Sequence, residues 1–202
     1  MEQSVKVMEN TPVLATGRLI LRKFTPDDLD DLFAILCDKE VNTFLPWFPA
    51  RTKEEAQAHL ETVFLQVYRQ PAAYRYAVCL KAGNRPVGYV CVGDAPAYDL
   101  GYALKKECWH QGIATEAAGA VMARLAQNGY PYVTATHDVR NPRSGQVMRK
   151  LGMTYCYSYK EQWQPKDIPV VFRMYQKNLD GQRDRIYRGY WDSYPHFIEP
   201  GL

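Results

Sequence analysis

The 202-residue sequence predicts an α+β domain, a mixed and mostly antiparallel central sheet flanked by helices. Three observations carry that expectation. Segments with apolar residues at helical spacing alternate with short β-type runs. Three such runs between Tyr74 and Leu104, joined by tight turns, read as an antiparallel meander. A long amphipathic stretch from 111 to 128 lies between two strands, which makes one crossover and therefore one parallel pair.

The elements follow in order. Residues 18–24, Arg-Leu-Ile-Leu-Arg-Lys-Phe, form a β-rich run that meets Thr25 and Pro26, a cap and a first helical position. The helix they open presents Leu29, Leu32, Phe33 and Leu36 on one face and ends near 37–39. A proline-bracketed loop, 44–49, places aromatics where a pocket wall would need them, and Thr52 caps a second helix over about 53–69. The meander is 74–80, 87–92 and 98–104, with turns at Gly83-Asn84 and Gly93-Asp94. After the crossover helix, stopped by Gly129, come a strand at 132–136, a helix at 142–151 ended by Gly152, and β-type runs at 155–159 and 170–175. Residues 1–180 thus make the domain. The remainder, 181–202, carries Tyr187, Tyr190, Trp191, Tyr194 and Phe197, too many aromatics to leave in water. It packs on its own domain, meets a second subunit in a homodimer, or closes a pocket.

Composition narrows the function. With 25 Lys and Arg against 22 Asp and Glu, the net charge of +3 is dispersed, with no like-charge run of the kind nucleic acids attract. No apolar stretch is long enough for a membrane span, and charges in residues 1–18 leave no secretory apolar core, so the expected location is cytoplasmic. Five scattered cysteines without a C-x-x-C pair indicate reduced thiols and neither a disulfide framework nor a metal site.

The chemistry lies in the run from Gly101 to Ala117. A tight turn of small residues joins a strand to the start of a long helix, whose unpaired N–H groups and positive dipole end suit a phosphate. Gly112 lets a ligand approach the backbone, Ala114 leaves the first turn uncrowded, and Thr115 adds a hydroxyl. Neither G-x-G-x-x-G nor the P-loop pattern occurs, which argues against a nucleotide fold.

This run resembles the acyl-CoA-binding motif of the GNAT N-acetyltransferases, whose Q/R-x-x-G-x-G/A pattern is met at Gly112 and Ala114, with Trp109 standing where Gln or Arg is usual. Trp109 to Ala117 is similar to the branch that contains the ribosomal-protein N-terminal acetyltransferases. Asn141-Pro142-Arg143-Ser144 with Val147, Lys150, Leu151, Gly152 and Met153 resembles a second block of that branch, and Thr16 to Arg22 its first strand. The resemblance covers about residues 14–179 and implies a GNAT-like sheet with its parallel pair at the acyl-CoA site. It implies acetyl-CoA as donor, no metal, and a small-molecule amine or a protein N-terminus as acceptor. The donor would meet Tyr102, Ala103 and Leu104 through their backbones, then Trp109, His110, Gln111, Gly112, Ile113, Ala114, Thr115, Asn141 and Ser144. The family's usual acid position is Met148 here, so Ser144 takes the part of proton donor to the thiolate. Asp99 is the first candidate for general base, with His137 and Asp138 next and Glu161 more remote; Cys108 lacks partners for a covalent route. Trp47 and Trp163 are expected in the acceptor pocket wall. The alternative function is a non-catalytic acyl-CoA-binding or interaction module, consistent with Met148 and the aromatic tail.

Overall fold

The computed structural model describes residues 9–202. The N-terminal reading of residues 1–18 therefore falls partly outside the described residues. Chain order begins with β1 (Leu14–Ala15) and β2 (Leu19–Arg22). Thr25 donates its N–H to the Asp28 carboxylate, and Pro26–Asp28 forms a 3-10 turn rather than the first turn of an α-helix. The helix proper, α1 (Leu29–Leu36), buries Leu32, Ile35 and Leu36. Asp28 also pairs with Arg22 at 2.7 Å, which holds the helix entry onto β2.

The second helix is not one regular rod. Thr52 accepts the Glu55 N–H as expected, and α2 (Lys53–His59) passes into a π-helical segment, Leu60–Leu65, then a 3-10 turn at Val67–Arg69. The wider pitch turns Phe64 into the apolar layer with Phe24, Leu32 and Tyr89, and single π turns of this kind recur at functional sites.

Strands β3 (Tyr74–Leu80), β4 (Pro86–Val92) and β5 (Leu100–Leu104) complete a five-stranded antiparallel sheet in sequence order, β5 at its edge. The third run of the meander starts two residues later than its β-type composition indicates, because Tyr98 adopts a φ of 46° and leaves the ladder. After α3 (Ile113–Gln127), a second sheet holds β6 (Tyr132–Asp138), β7 (Thr154–Trp163) and β8 (Ile168–Asn178), with α4 (Pro142–Lys150) between β6 and β7. Its order is β6-β8-β7-β9, β9 being His196–Phe197 in the C-terminal segment after the short helix α5 (Gly189–Ser193). The expected parallel pair is present as one bridge, Asp99 to Thr134. Beyond it the two sheets diverge, and the splay is what opens a site.

The main core lies where α3 packs on the first sheet. Ile113, Ala117, Val121 and Leu125 recur at helical spacing against Leu19, Leu21, Tyr76 and Val90. Burying each of the larger aliphatics contributes about 1.5–3 kcal/mol. Glu116 fixes the helix start: it accepts from Thr16 Oγ1 at 2.6 Å, Arg18 N at 2.9 Å and Arg18 Nε at 2.7 Å. Two distant motif fragments thus meet in space.

The C-terminal segment is held along β7. Ser158 pairs with Phe197 and Tyr159 with His196; Arg173 and Ser158 both bind Glu199, at 2.6 and 2.5 Å. Among the described residues no helix is long and apolar enough to cross a membrane.

Candidate active site

One cleft of about 1140 Å³ runs from the start of α3, through the splay, to the space beneath α2. At its first end the chain curls through His110 (φ 60°) and Gly112 (φ 75°), both left-handed. Gly112 caps α3 without a side-chain hydrogen bond, so the N–H groups of Ile113, Ala114 and Thr115 are left to face a ligand. A non-glycine residue held at positive φ, as His110 is, marks a turn that the surrounding structure over-determines. Arg143 stacks 5.7 Å from the centre of the Trp109 ring, and Trp109 Nε1 donates to Leu104 O at 3.0 Å. Arg143 and Lys150 bring positive charge to this end. An anionic, elongated ligand such as the diphosphate of acetyl-CoA fits these residues.

Every donor-site residue expected from the motif lines this cleft except Gln111. Its side chain folds back to donate to Glu107 O, and its carbonyl accepts from Arg18 Nη1, so Gln111 braces the turn from outside. Ile113 is 2% exposed, its side chain spent in the core, which leaves only its N–H for the ligand.

In the splay, Asn141 Oδ1 accepts the Ser144 N–H at 3.4 Å and caps α4. Ser144 Oγ lies 2.9 Å from the Tyr102 hydroxyl, which also donates to Ser144 O at 3.1 Å. Sequence reasoning assigned Tyr102 only a backbone role. Its side chain crosses from the edge strand to the helix start, a contact that nothing in sequence spacing announces. Burial pushes the Tyr102 hydroxyl up to about 12, so it keeps its proton at neutral pH. Met148, at the family's usual acid position, is fully buried in the main core.

Asp99 stands across the cleft at the parallel bridge. Burial pushes its carboxyl up to about 7 against the opposing hydrogen bond from Thr134. His137 is placed differently: its Nδ1 faces Asp138 O at 2.8 Å and its ring lies under Gly145, where an added Cβ would come within 2.6 Å of Nε2. Its ring packs beneath α4 and also lines the cleft. Asp138 is tied to Arg140 at 2.6 Å. Glu161 lies among aromatics, its carboxyl raised by burial while the Tyr194 hydroxyl opposes the shift. Cys108 is 6% exposed, and burial raises its thiol, which fits no nucleophilic role.

The far end is aromatic. Trp47 lies edge-on to His59 at 4.8 Å and Trp163 edge-on to Phe172 at 5.3 Å, and both tryptophans line the cleft. Tyr190 and Tyr194, from the C-terminal segment, also line it and stack on Tyr159 at 4.9 and 5.3 Å.

A helix start with unpaired N–H groups that opens into a sheet splay, with a carboxylate and a hydroxyl pair lining the same cleft, is the arrangement that an acyltransferase drawing on an acyl-CoA donor calls for. Residues 18–154 match the acetyltransferase (GNAT) domain, and the chain belongs to that family: it is an N-acetyltransferase, an enzyme that passes an acetyl group to an amine. It is 24% identical over 146 residues to the uncharacterized N-acetyltransferase YoaA of Bacillus subtilis (strain 168), covering 70% of this chain and 82% of that one. Among solved structures, the GNAT-family acetyltransferase of Bacillus anthracis superposes with a TM-score of 0.74 at 20% identity, covering 84% of this chain and 99% of the other. RimL, a ribosomal L7/L12 α-N-protein acetyltransferase in complex with coenzyme A, gives 0.73 at 20% identity, with 84% and 99% covered. The Salmonella typhimurium enzyme that modifies the N-terminal serine of L7/L12 gives 0.72 at 19%, with 83% and 99% covered. These likenesses show the fold.

Proposed function

We propose that the chain holds acetyl-CoA at the start of α3 and passes its acetyl group directly to a primary amine seated in the aromatic half of the cleft, with Asp99 as general base and Ser144 as proton donor. The observation that carries this reading is the convergence of three things in one cleft: the left-handed Gly112 turn, the Tyr102–Ser144 hydroxyl pair and the half-buried Asp99. When bound, acetyl-CoA supplies an activated acyl group on a thiolate leaving group.

The protein's part follows from its own residues. The N–H groups of Ile113, Ala114 and Thr115 take the diphosphate charge, with Arg143 and Lys150 beside them. Beyond the Asp99 bridge, β5 is paired only with β4, so the N–H groups of Tyr102 and Leu104, on the side away from β4, are open toward the splay to orient a carbonyl, with Ala103 between them. Asp99, ionised above about pH 7, receives a proton from the acceptor's ammonium. Across the cleft, Ser144 Oγ hands its proton to the departing sulfur and takes up the one the amine nitrogen loses as the amide forms, while Tyr102 keeps its own proton and orients Ser144 through their hydroxyl contact. Holding the reacting groups in line supplies the larger part of the barrier reduction, about 7–11 kcal/mol, and the acid and base a further 10²–10⁴-fold. We place the reaction in the cytoplasm, a reading that the five unbridged cysteines support.

Calorimetry with acetyl-CoA tests donor binding, and CoA release across a panel of amines and protein N-terminal peptides tests transfer. Binding with turnover of at least one amine is expected. Absence of binding at about 1 mM overturns the donor site, and binding without any turnover overturns the roles given to Asp99 and Ser144.

A further inference from the structure

Three buried polar atoms in the aromatic half of the cleft have no hydrogen-bond partner: Arg75 Nε, Tyr89 Oη and His59 Nε2. They belong to one face of the first sheet and to the helix above it. Register places Arg75 opposite Cys91, Cys91 opposite Gly101, and Tyr89 opposite Ala103, so their side chains point to the α2 side of the sheet. The floor between them is low. A Cβ built on Gly101 would meet nothing within 4 Å. Trp47, Val63 and Phe64 form the apolar walls.

Leaving a buried donor unpaired is costly, and two or three at one place form a demand that a ligand can meet. Arg75 Nε can only donate, and the Tyr89 hydroxyl has a proton to give. Arg75 carries a positive charge; its Nη2 is engaged by Asp94 at 3.2 Å and its guanidinium lies beside the Cys91 thiol, while Nε has no partner. Tyr89 is 3% exposed, and burial raises its hydroxyl, so it too keeps its proton. His59 is pushed down to about 4 by burial and by Arg75, which makes it neutral at physiological pH. Donors from a cation and a phenol in a dry pocket are complementary to an oxygen that carries negative charge.

We propose that Arg75 and Tyr89, with His59 beside them, form a carboxylate-binding subsite of the acceptor pocket, so that the acceptor is an amine bearing a carboxylate on an apolar body. The proposal rests on the acetyl-transfer reading above. Its ammonium would lie toward Asp99, which borders the same open floor, and its apolar body against Trp47 and Phe64. Arg75 and Tyr89 are specificity-determining residues in this assignment, and neither takes part in the proton transfers.

The test is calorimetric and independent of turnover. L-Phenylalanine and phenethylamine, and L-leucine and isoamylamine, are titrated into the full chain saturated with CoA. The amino acids are expected to bind at least tenfold more tightly than their decarboxylated partners. Arg75→Gln and Tyr89→Phe are each expected to weaken the amino acids at least tenfold and the bare amines less than twofold. Tyr89→Phe is the clean variant, because its hydroxyl bonds to nothing in the folded protein, so its melting temperature should hold or rise. Equal affinity within each pair, no binding of either amino acid at 10 mM, or equal weakening of acid and amine in the variants overturns the subsite. Loss of CoA affinity in the native chain would instead overturn the donor site.

Discussion

Asp99→Asn separates the energetic cost of a buried base from its use. The carboxyl is moved from 3.8 to about 7, mainly by burial. At roughly 1.4 kcal/mol for each pH unit, ionising Asp99 in the folded chain is about 4 kcal/mol harder than in the unfolded chain. Because the folded pKa is raised, the folded state holds its proton longer than the unfolded state does. Between pH 3.8 and about 7 the unfolded state therefore binds fewer protons, and stability falls as pH rises through that window. Asparagine keeps the shape and cannot ionise. With part of the cost relaxed by water in the cleft, the variant should be more stable than the native chain by about 2–4 kcal/mol at pH 8.5 and nearly equal to it at pH 4. For a chain of this size that is a rise in melting temperature of roughly 5–15 °C. The same substitution removes the base, so kcat/KM should fall by about 10²–10⁴, and the rise in activity through about pH 7 should vanish. Scanning calorimetry at the two pH values and a pH–rate profile read both effects. Retention of more than a third of kcat/KM with the same pH profile places the base elsewhere, and an unchanged melt at pH 8.5 refutes the burial argument.

Ser144→Ala should lower turnover at least tenfold with little change in acetyl-CoA affinity, and Tyr102→Phe should lower it by a similar factor. Since the two hydroxyls act as one pair at 2.9 Å, the double variant should lose little more than either single one, and additive losses would separate their roles. Gly112→Val puts a β-branched side chain at φ 75° and a Cβ over the turn. Calorimetry should show acetyl-CoA affinity reduced at least a hundredfold, and native affinity would remove the helix start from the donor site. Tyr194→Ala opens the far wall beside Glu161 and should raise the acceptor KM several-fold while the acetyl-CoA KM holds; equal effects on both would mean that the C-terminal segment only supports the fold.

The donor half of the site is legible in sequence because it is local. Gly112 and the Asn141 cap set backbone conformation and helix ends, which short motifs encode directly, and the donor roles proposed for them depend on those alone. Element order and type are legible for the same reason, since hydrophobic period reports which face each segment buries. Where tertiary packing overrides period, the reading stops short: the π-helical turn at Leu60–Leu65 and the early exit of Tyr98 from the ladder leave no mark in composition.

The amino-acid sequence by itself determined an α+β chain, its resemblance to the acyl-CoA motif, and Ser144 and Asp99 as candidates. Only the tertiary structure decided what those residues face. Tyr102 reaches Ser144 because an edge strand and a helix start converge in the splay, and Glu116 receives Arg18 from nearly a hundred residues away. Tyr190 and Tyr194 come to the cleft because the C-terminal segment pairs with β7, and Arg75 and Tyr89 share a floor because strand register aligns them. Each is a contact between residues distant in sequence, set by sheet register and the divergence of two sheets, and spacing along one chain carries no record of either.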